Sequence, residues 1–282
     1  MKEQQRNVWE GIPLSRCYGL RTTGLSQEVA MSQLLNDRQL QEFDDQGYLV
    51  VPDVFSPREV EEMSEALDRL VHRARAISET TMIEGSQFVV TGSVIHRVVW
   101  CGACEPTLSE YGKDPRLVSM ASQLLESATL HQLINQCHFK LPGDGVDFEW
   151  HQDSRHRRYG TELWNDVGVR GSFVETATAI DPMTLENGPL RFIPGSHRAG
   201  HLETDPQTKE LPPETFDEAA AVTITMEPGS VALFGPFTIH SSPPNRSRHA
   251  RRLFLNGFAH PEANRRIYPG EGSGRVVKKR TQ

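Results

Sequence analysis

His131-Gln132-Leu133-Ile134-Asn135-Gln136-Cys137-His138-Phe139-Lys140-Leu141 is where the chain changes character. From here onward the apolar residues fall in short β-type runs divided by turn residues, over 131–141, 171–180, 190–194, 221–226, 230–234, 237–240 and 252–259. Many short strands at such spacing predict a barrel or a double-sheet sandwich. Upstream, the period is helical. Asn36 or Asp37 can cap a short helix that carries Leu40 and Phe43 and ends at Gly47, after which 48–51 reads as a strand. Ser56-Pro57 opens a second helix, with Val60, Met63, Leu67, Leu70 and Val71 on one face to about residue 77. Asp114-Pro115 opens a third, carrying Leu117, Met120, Ala121, Leu124 and Leu125. The expected organisation is an arm over 1–35, one domain over 36–270 with helical support (36–129) outside a β core (130–262), and a mobile basic tail over 271–282.

Composition narrows the function. The 282 residues are 37% hydrophobic and 24% charged, as in ordinary globular proteins. A net charge of -7 argues against a broad phosphate-binding surface, so nucleic acid is not an expected partner. No run is long and apolar enough to span a membrane, and residues 1–32 lack the apolar core of a secretory signal, so a cytoplasmic protein without an obligate protein partner is expected. Four cysteines do not make a disulfide framework. Trp100-Cys101-Gly102-Ala103-Cys104 looks like a thioredoxin active site, but Glu105-Pro106 follows at once and no βαβ pattern surrounds it. Cys17 and Cys137 do not supply the second CxxC that a zinc site would want, so neither a redox nor a zinc role is expected of it.

The informative polar residues are Trp150-His151-Gln152-Asp153, since residues two apart on extended backbone project to one side and let an imidazole and a carboxylate share an ion. His240, closing the run that begins at Val231, is the best-placed third ligand. Two His and one carboxylate leave three positions of an octahedron open, which suits non-haem Fe(II) and O2 better than a closed zinc site. An HxD pair alone is a weak signal. Arg251, eleven residues beyond His240, strengthens it, because its fork could bind a ligand carboxylate beside the metal. His197 competes for the third position, but its Pro-Gly-Ser-His setting reads as a tight turn. His156 and His201 lie in polar sequence without partners at useful spacing and are expected in solvent.

From Gly47-Tyr48, through Phe139-Lys140-Leu141-Pro142-Gly143 and Trp150-His151-Gln152-Asp153, to the stretch Glu186-Asn187-Gly188-Pro189-Leu190-Arg191-Phe192-Ile193-Pro194-Gly195-Ser196-His197 and His240 with Arg251, the chain resembles the phytanoyl-CoA dioxygenase family of Fe(II)- and 2-oxoglutarate-dependent oxygenases. It is also similar to ectoine hydroxylases. The resemblance implies a mainly β fold with flanking helices, a double-stranded β-helix of jelly-roll, cupin-like kind. It implies His151, Asp153 and His240 as iron ligands, and Arg251, Ser242 and His138 as contacts of the 2-oxoglutarate co-substrate. The reaction implied is hydroxylation of an unactivated C–H bond of a small molecule, such as an amino-acid derivative or natural-product intermediate, with O2 consumed and succinate and CO2 released. Related halogenases carry a small residue where this chain has Asp153, which favours hydroxylation; desaturation, cyclisation and epimerisation use the same cofactors. Phe234, Leu253 and Leu255 are substrate-facing candidates for which barrel core is the competing reading, and Trp164 lies in a long polar loop, 154–170, readable as a lid or as packing. Two rival classes are a cupin-like zinc or manganese hydrolase or isomerase, which has no need of Arg251, and a metal-free binding module.

Overall fold

The computed structural model of the chain describes residues 35–205 and 210–279. The expected arm falls outside them except for Leu35, as do residues 280–282 of the expected tail. In chain order the elements are α1 (Asp37–Gln46), β1 (Tyr48–Val51), α2 (Pro57–Ala74), β2 (Glu79–Ile83), β3 (Ser86–Thr91), β4 (Val94–Val99), α3 (Pro106–Tyr111), α4 (Pro115–Leu124), β5 (Thr129–Lys140), β6 (Phe148–His151), α5 (Ser154–Arg157), β7 (Phe173–Ala179), β8 (Arg191–Phe192), β9 (Val222–Thr223), β10 (Val231–Phe234), β11 (His240–Ser242), β12 (Arg251–Ala259) and β13 (Arg275–Lys278).

Local chemistry sets the helix ends. Asn36 accepts from the Gln39 amide while the Gln39 side chain returns to Asn36, and Ser56 and Glu59 do the same for α2, so the first turns satisfy their free N–H groups without water. Gly47 ends α1 at φ +82, where a Cβ would also strike His197 and Thr238, so two independent constraints select glycine there.

Nine strands form one large sheet, ordered β1-β10-β7-β12-β5-β4-β3-β2 with β13 also on β5, and four form a small one, β6-β11-β8-β9. The fold is a double-stranded β-helix. On its outer face, Met63, Leu67 and Leu70 of α2 and Leu117 and Met120 of α4 pack in one core with Phe139, Phe254 and Phe258. On the inner face, Ala177, Ala179, Phe234, Leu253 and Leu255 meet Leu190 and Phe192 of the small sheet. Every residue of β7 and β12 is buried because both faces of these strands are covered.

Two expectations need correction. The segment 36–129 is not purely helical: β2, β3 and β4 form a meander that extends the large sheet through β5. Its first turn, Glu84-Gly85, is left-handed at both residues (φ 46 and 78), the geometry that matches strand twist in a two-residue hairpin. The basic tail is not free over 275–278, where β13 pairs with Thr129–Gln132. Arg275 anchors it, donating to Gln132 Oε1 at 2.6 Å and to the Ser109 hydroxyl and carbonyl at 2.9 Å each, with its guanidinium over Trp100. Charge there is spent on specific acceptors rather than solvated.

Candidate active site

The two sheets enclose a pocket, and nine of the ten residues singled out from sequence line it: His138, His151, Asp153, Phe234, His240, Ser242, Arg251, Leu253 and Leu255. The tenth does not. Trp164 is 6% exposed and stacks on Tyr159 (4.8 Å between centroids) with its edge on Phe173, in a separate cluster with Ala263 and Tyr268. Trp164 itself is packed into that cluster and does not line the pocket.

His151 and His240 face each other across the β6–β11 ladder, their rings 4.2 Å apart. The His151 Nδ1 lies 2.6 Å from the Glu149 carbonyl and the His240 Nδ1 2.9 Å from that of Thr238. A carbonyl only accepts, so each Nδ1 carries the proton and each Nε2 keeps its lone pair for a metal. Burial, and then the neighbouring His240, hold His151 down at about 3, so it is neutral across the physiological range. Burial alone would raise the Asp153 carboxyl, but His240 and Arg157 more than reverse this and hold it at about 2. Two imidazoles pinned through Nδ1 and an ionised carboxylate make a donor set that fits a divalent iron.

His151 is the last residue of β6, and Asp153 lies beyond the strand in helical backbone (φ -67, ψ -22), its carbonyl accepting from the amides of His156 and Arg157. The two side chains still converge, with Nε2 4.0 Å from Oδ1. That turn changes the expectation for His156. Its ring comes within 5.8 Å of His151, and donor atoms of His151, Asp153 and His156 lie within 4.8 Å of one another, although His156 is exposed as expected. His201 is not free either; it meets the Ser154 hydroxyl at 2.8 Å. His197 bonds the Asp44 carbonyl at 3.0 Å and stays out of the pocket.

Arg251 is 1% exposed. It donates to the Gly188 carbonyl at 2.9 Å and to the Ser242 hydroxyl at 2.8 Å, and no carboxylate among the described residues is in ion-pair reach. Burial brings it down to about 9, which leaves it cationic near neutral pH. A buried cation without a counter-ion is a receptor for an anion. His138 sits one inward step away, opposite Leu253, with an unpartnered Nε2 and its ring stacked on Phe148. A register shift between His240 and Ser242 lets Ser241 share the pocket with both.

Six further lining residues escaped sequence reasoning, and the two charged ones among them are Glu175 and Arg157. The signal for Glu175 was available: in Phe173-Val174-Glu175-Thr176-Ala177-Thr178-Ala179 a period of two puts the acid on the face of Ala177 and Ala179.

A jelly roll with a His/Asp/His cluster and a buried, unpaired arginine defines a non-haem iron oxygenase that takes a dicarboxylate co-substrate. The chain belongs to the phytanoyl-CoA dioxygenase (PhyH) family, whose model matches residues 43–253, and it is an Fe(II)- and 2-oxoglutarate-dependent dioxygenase. It is 28% identical over 242 residues to the ectoine dioxygenase of Sphingopyxis alaskensis, covering 77% of this chain and 75% of that one. Among solved structures, EctD from S. alaskensis with 2-oxoglutarate and 5-hydroxyectoine has a TM-score of 0.66 at 24% identity, covering 83% and 79% of the two chains. The 2-oxoglutarate-dependent carbocyclase SnoK from nogalamycin biosynthesis has 0.65 at 19%, covering 86% and 97%. At those identities the structures speak for the fold. No helix among the described residues is long and apolar enough to cross a membrane.

Proposed function

We propose that the protein hydroxylates an unactivated C–H bond of a small molecule, with His151, Asp153 and His240 holding iron and Arg251, Ser242 and His138 receiving 2-oxoglutarate. The observation that carries this reading is Arg251, a buried guanidinium whose protein partners are a carbonyl and a hydroxyl. Iron and 2-oxoglutarate, when bound, would supply the activation of O2, the co-substrate being oxidised to succinate and CO2 with one oxygen atom of O2 while the other serves the substrate's C–H bond.

The chain's own residues do the rest. The Glu149 and Thr238 carbonyls fix the two imidazoles so that only Nε2 is offered. Arg251 holds the far carboxylate, with the Ser242 hydroxyl assisting once its proton turns to it from the Gly188 carbonyl, and so orients the near end toward the metal. The His138 Nε2 is free for a polar atom of the co-substrate. Phe234, Leu253 and Leu255 form an apolar wall that excludes water beside the metal. A carboxylate at 153 fills the position that a halogenase leaves for chloride, which supports hydroxylation. Of the two histidines near His151, we assign the third ligand to His240, because it is buried and its Nδ1 is pinned, whereas His156 rides an exposed turn. The ectoine dioxygenase relative acts on a small molecule, and a cytoplasmic setting accords with the three buried, unpaired cysteines among the described residues.

The test is anaerobic addition of Fe(II) and then 2-oxoglutarate, read by the weak visible charge-transfer band of the chelate. The band should form in the wild type and in His156→Ala and be lost in His240→Ala. A folded, iron-loaded wild type without the band would overturn the reading, and a band lost only in His156→Ala would move the third ligand to that residue.

A further inference from the structure

The inward face of the large sheet is a graded floor. Along β12 it steps from Arg251 through Leu253 and Leu255 to Gly257, and the register sets Lys140, His138, Gln136 and Ile134 of β5 beside them in turn. On the other side of β12, Ala179, Ala177 and Glu175 stand opposite Leu253, Leu255 and Gly257, and Glu175 is itself opposite Phe234 of β10. The two ends lie six residues apart, ~20 Å along the strand. One end carries a buried cation and the other a buried acid.

Glu175 is 1% exposed and Arg157 5%. An ion pair built for stability alone satisfies its atoms, as Arg252 and Asp181 do with two contacts of 2.7 and 2.9 Å. Glu175 and Arg157 touch once, at 3.4 Å through Oε2, while Glu175 Oε1 and Arg157 Nε have no hydrogen-bond partner among the described residues. Arg157 is held by ring faces instead, 4.5 Å from the centroid of Phe173 and 5.4 Å from that of Tyr268. Space beside the acid is kept by Gly257, where a Cβ would come 2.9 Å from Glu175 Oε2. A buried carboxylate with one oxygen uncommitted, in the pocket that also holds Asp153 and His240, awaits a donor brought from outside.

We propose that Glu175 is the substrate's cation receptor: the substrate bears a protonated amine or amidinium whose N–H donates to Glu175 Oε1, at the end of the pocket remote from Arg251. Arg157 is a positioning residue that holds the other carboxylate oxygen. This rests on the oxygenase reading, since it makes the Arg251 end the co-substrate's and leaves the Glu175 end to the substrate. An acid, rather than an amide or hydroxyl, suits a cation: burial and Asp153 keep a proton on the empty Glu175 near neutral pH, and an ammonium or amidinium donor takes the place of that proton as it is released to solvent, leaving carboxylate and cation paired.

Three six-membered rings of one size separate the possibilities: piperidine, protonated at neutral pH; cyclohexanol, a neutral donor; and tetrahydropyran, an acceptor only. Each is titrated calorimetrically into protein held anaerobically with Fe(II) and 2-oxoglutarate at a pH above 8, where Glu175 is ionised and piperidine still protonated. Piperidinium should bind the wild type about tenfold or more tighter than either neutral ring, and Glu175→Gln, which keeps shape and an acceptor oxygen, should bring that ratio close to one. Equal binding of the three rings, tighter binding of cyclohexanol, or an unchanged ratio in Glu175→Gln overturns the proposal. Should Glu175→Gln fail to fold, the wild-type ranking alone decides. The charge-transfer band is read on the same sample, so its absence counts against the oxygenase reading, whereas a present band without amine preference counts against this one.

Discussion

Arg251 and Arg252 are consecutive residues of one strand, both buried, and their surroundings are opposite. Arg252 points outward and is fully paired: Asp181 takes two of its N–H groups, Asp68 of α2 a third at 2.7 Å, and the Ser64 hydroxyl a fourth contact at 2.9 Å. Arg251 points inward to neutral acceptors. The outer face of the sheet satisfies its charges with protein and so ties helix to sheet. The inner face leaves them unsatisfied, as with Arg251, His138 Nε2 and Glu175 Oε1. For these two arginines the counter-charge, rather than burial, separates the one that faces the pocket from the one that holds the frame.

The comparison can be broken by substitution on either face. The largest effect is expected of Asp153→Ala, which should lower iron-dependent succinate formation by about a thousandfold or more while the melting temperature of the metal-free protein stays within a few degrees. Collapse of the fold instead would make Asp153 part of the frame. Arg251→Ala comes next. Removing the guanidinium that Ser242 and Gly188 hold should weaken 2-oxoglutarate binding by about 2–4 kcal/mol, roughly 30- to 1,000-fold, and leave stability unchanged or improved because an uncompensated cation is gone. Arg252→Ala should do the reverse, with turnover near wild type and a loss of about 2–3 kcal/mol in urea unfolding. If the two arginine variants behave alike, the distinction between faces fails.

The smallest effect sharpens the inner face. Burial, then Asp153, raise the Glu175 carboxyl from 4.5 to about 8, with Arg157 opposing. Folded chain therefore binds more protons than unfolded chain between those values, so this group favours folding most at acid pH and progressively less as pH climbs through 8. Glu175→Gln does not titrate. Relative to it, the metal-free wild type should lose about 1 kcal/mol or more between pH 5 and 8, measured by urea unfolding; a pH-independent gap would mean that Glu175 is compensated after all.

The parts of this molecule that were legible in its sequence are those set by local chemistry. Caps at Asn36, Ser56 and Asp114 and the apolar stripes behind them give three helices, the second of which ends at Ala74, about three residues before the expected 77. Period-two runs give most strands, and the spacing of His151, Asp153, His240 and Arg251 gives residues that share one pocket. The meander of β2–β4 was missed although the Glu84-Gly85 turn signals it, because a helical window on either side outweighed three short strands. β13 was missed because its cohesion lies in Arg275 meeting Gln132 and Ser109, 143 and 166 residues away in sequence. Arg157 and Glu175 meet across 18 residues, and His156 reaches Asp153 only because the chain turns into α5. Such pairings are products of topology, which no local window contains.

Thr238 joins two of these levels. Its carbonyl holds the Nδ1 proton of His240, while its hydroxyl donates to the carbonyl of Gly47, the residue that ends α1. One side chain and its own backbone thus bridge the proposed metal ligand and the C-terminal end of α1. Opening at the end of α1 is thereby coupled to the hold on His240, so iron loading should slow amide hydrogen exchange at Gly47 and Gly235, neither of which offers a donor to the metal, and the end of that helix would report whether the pocket is filled.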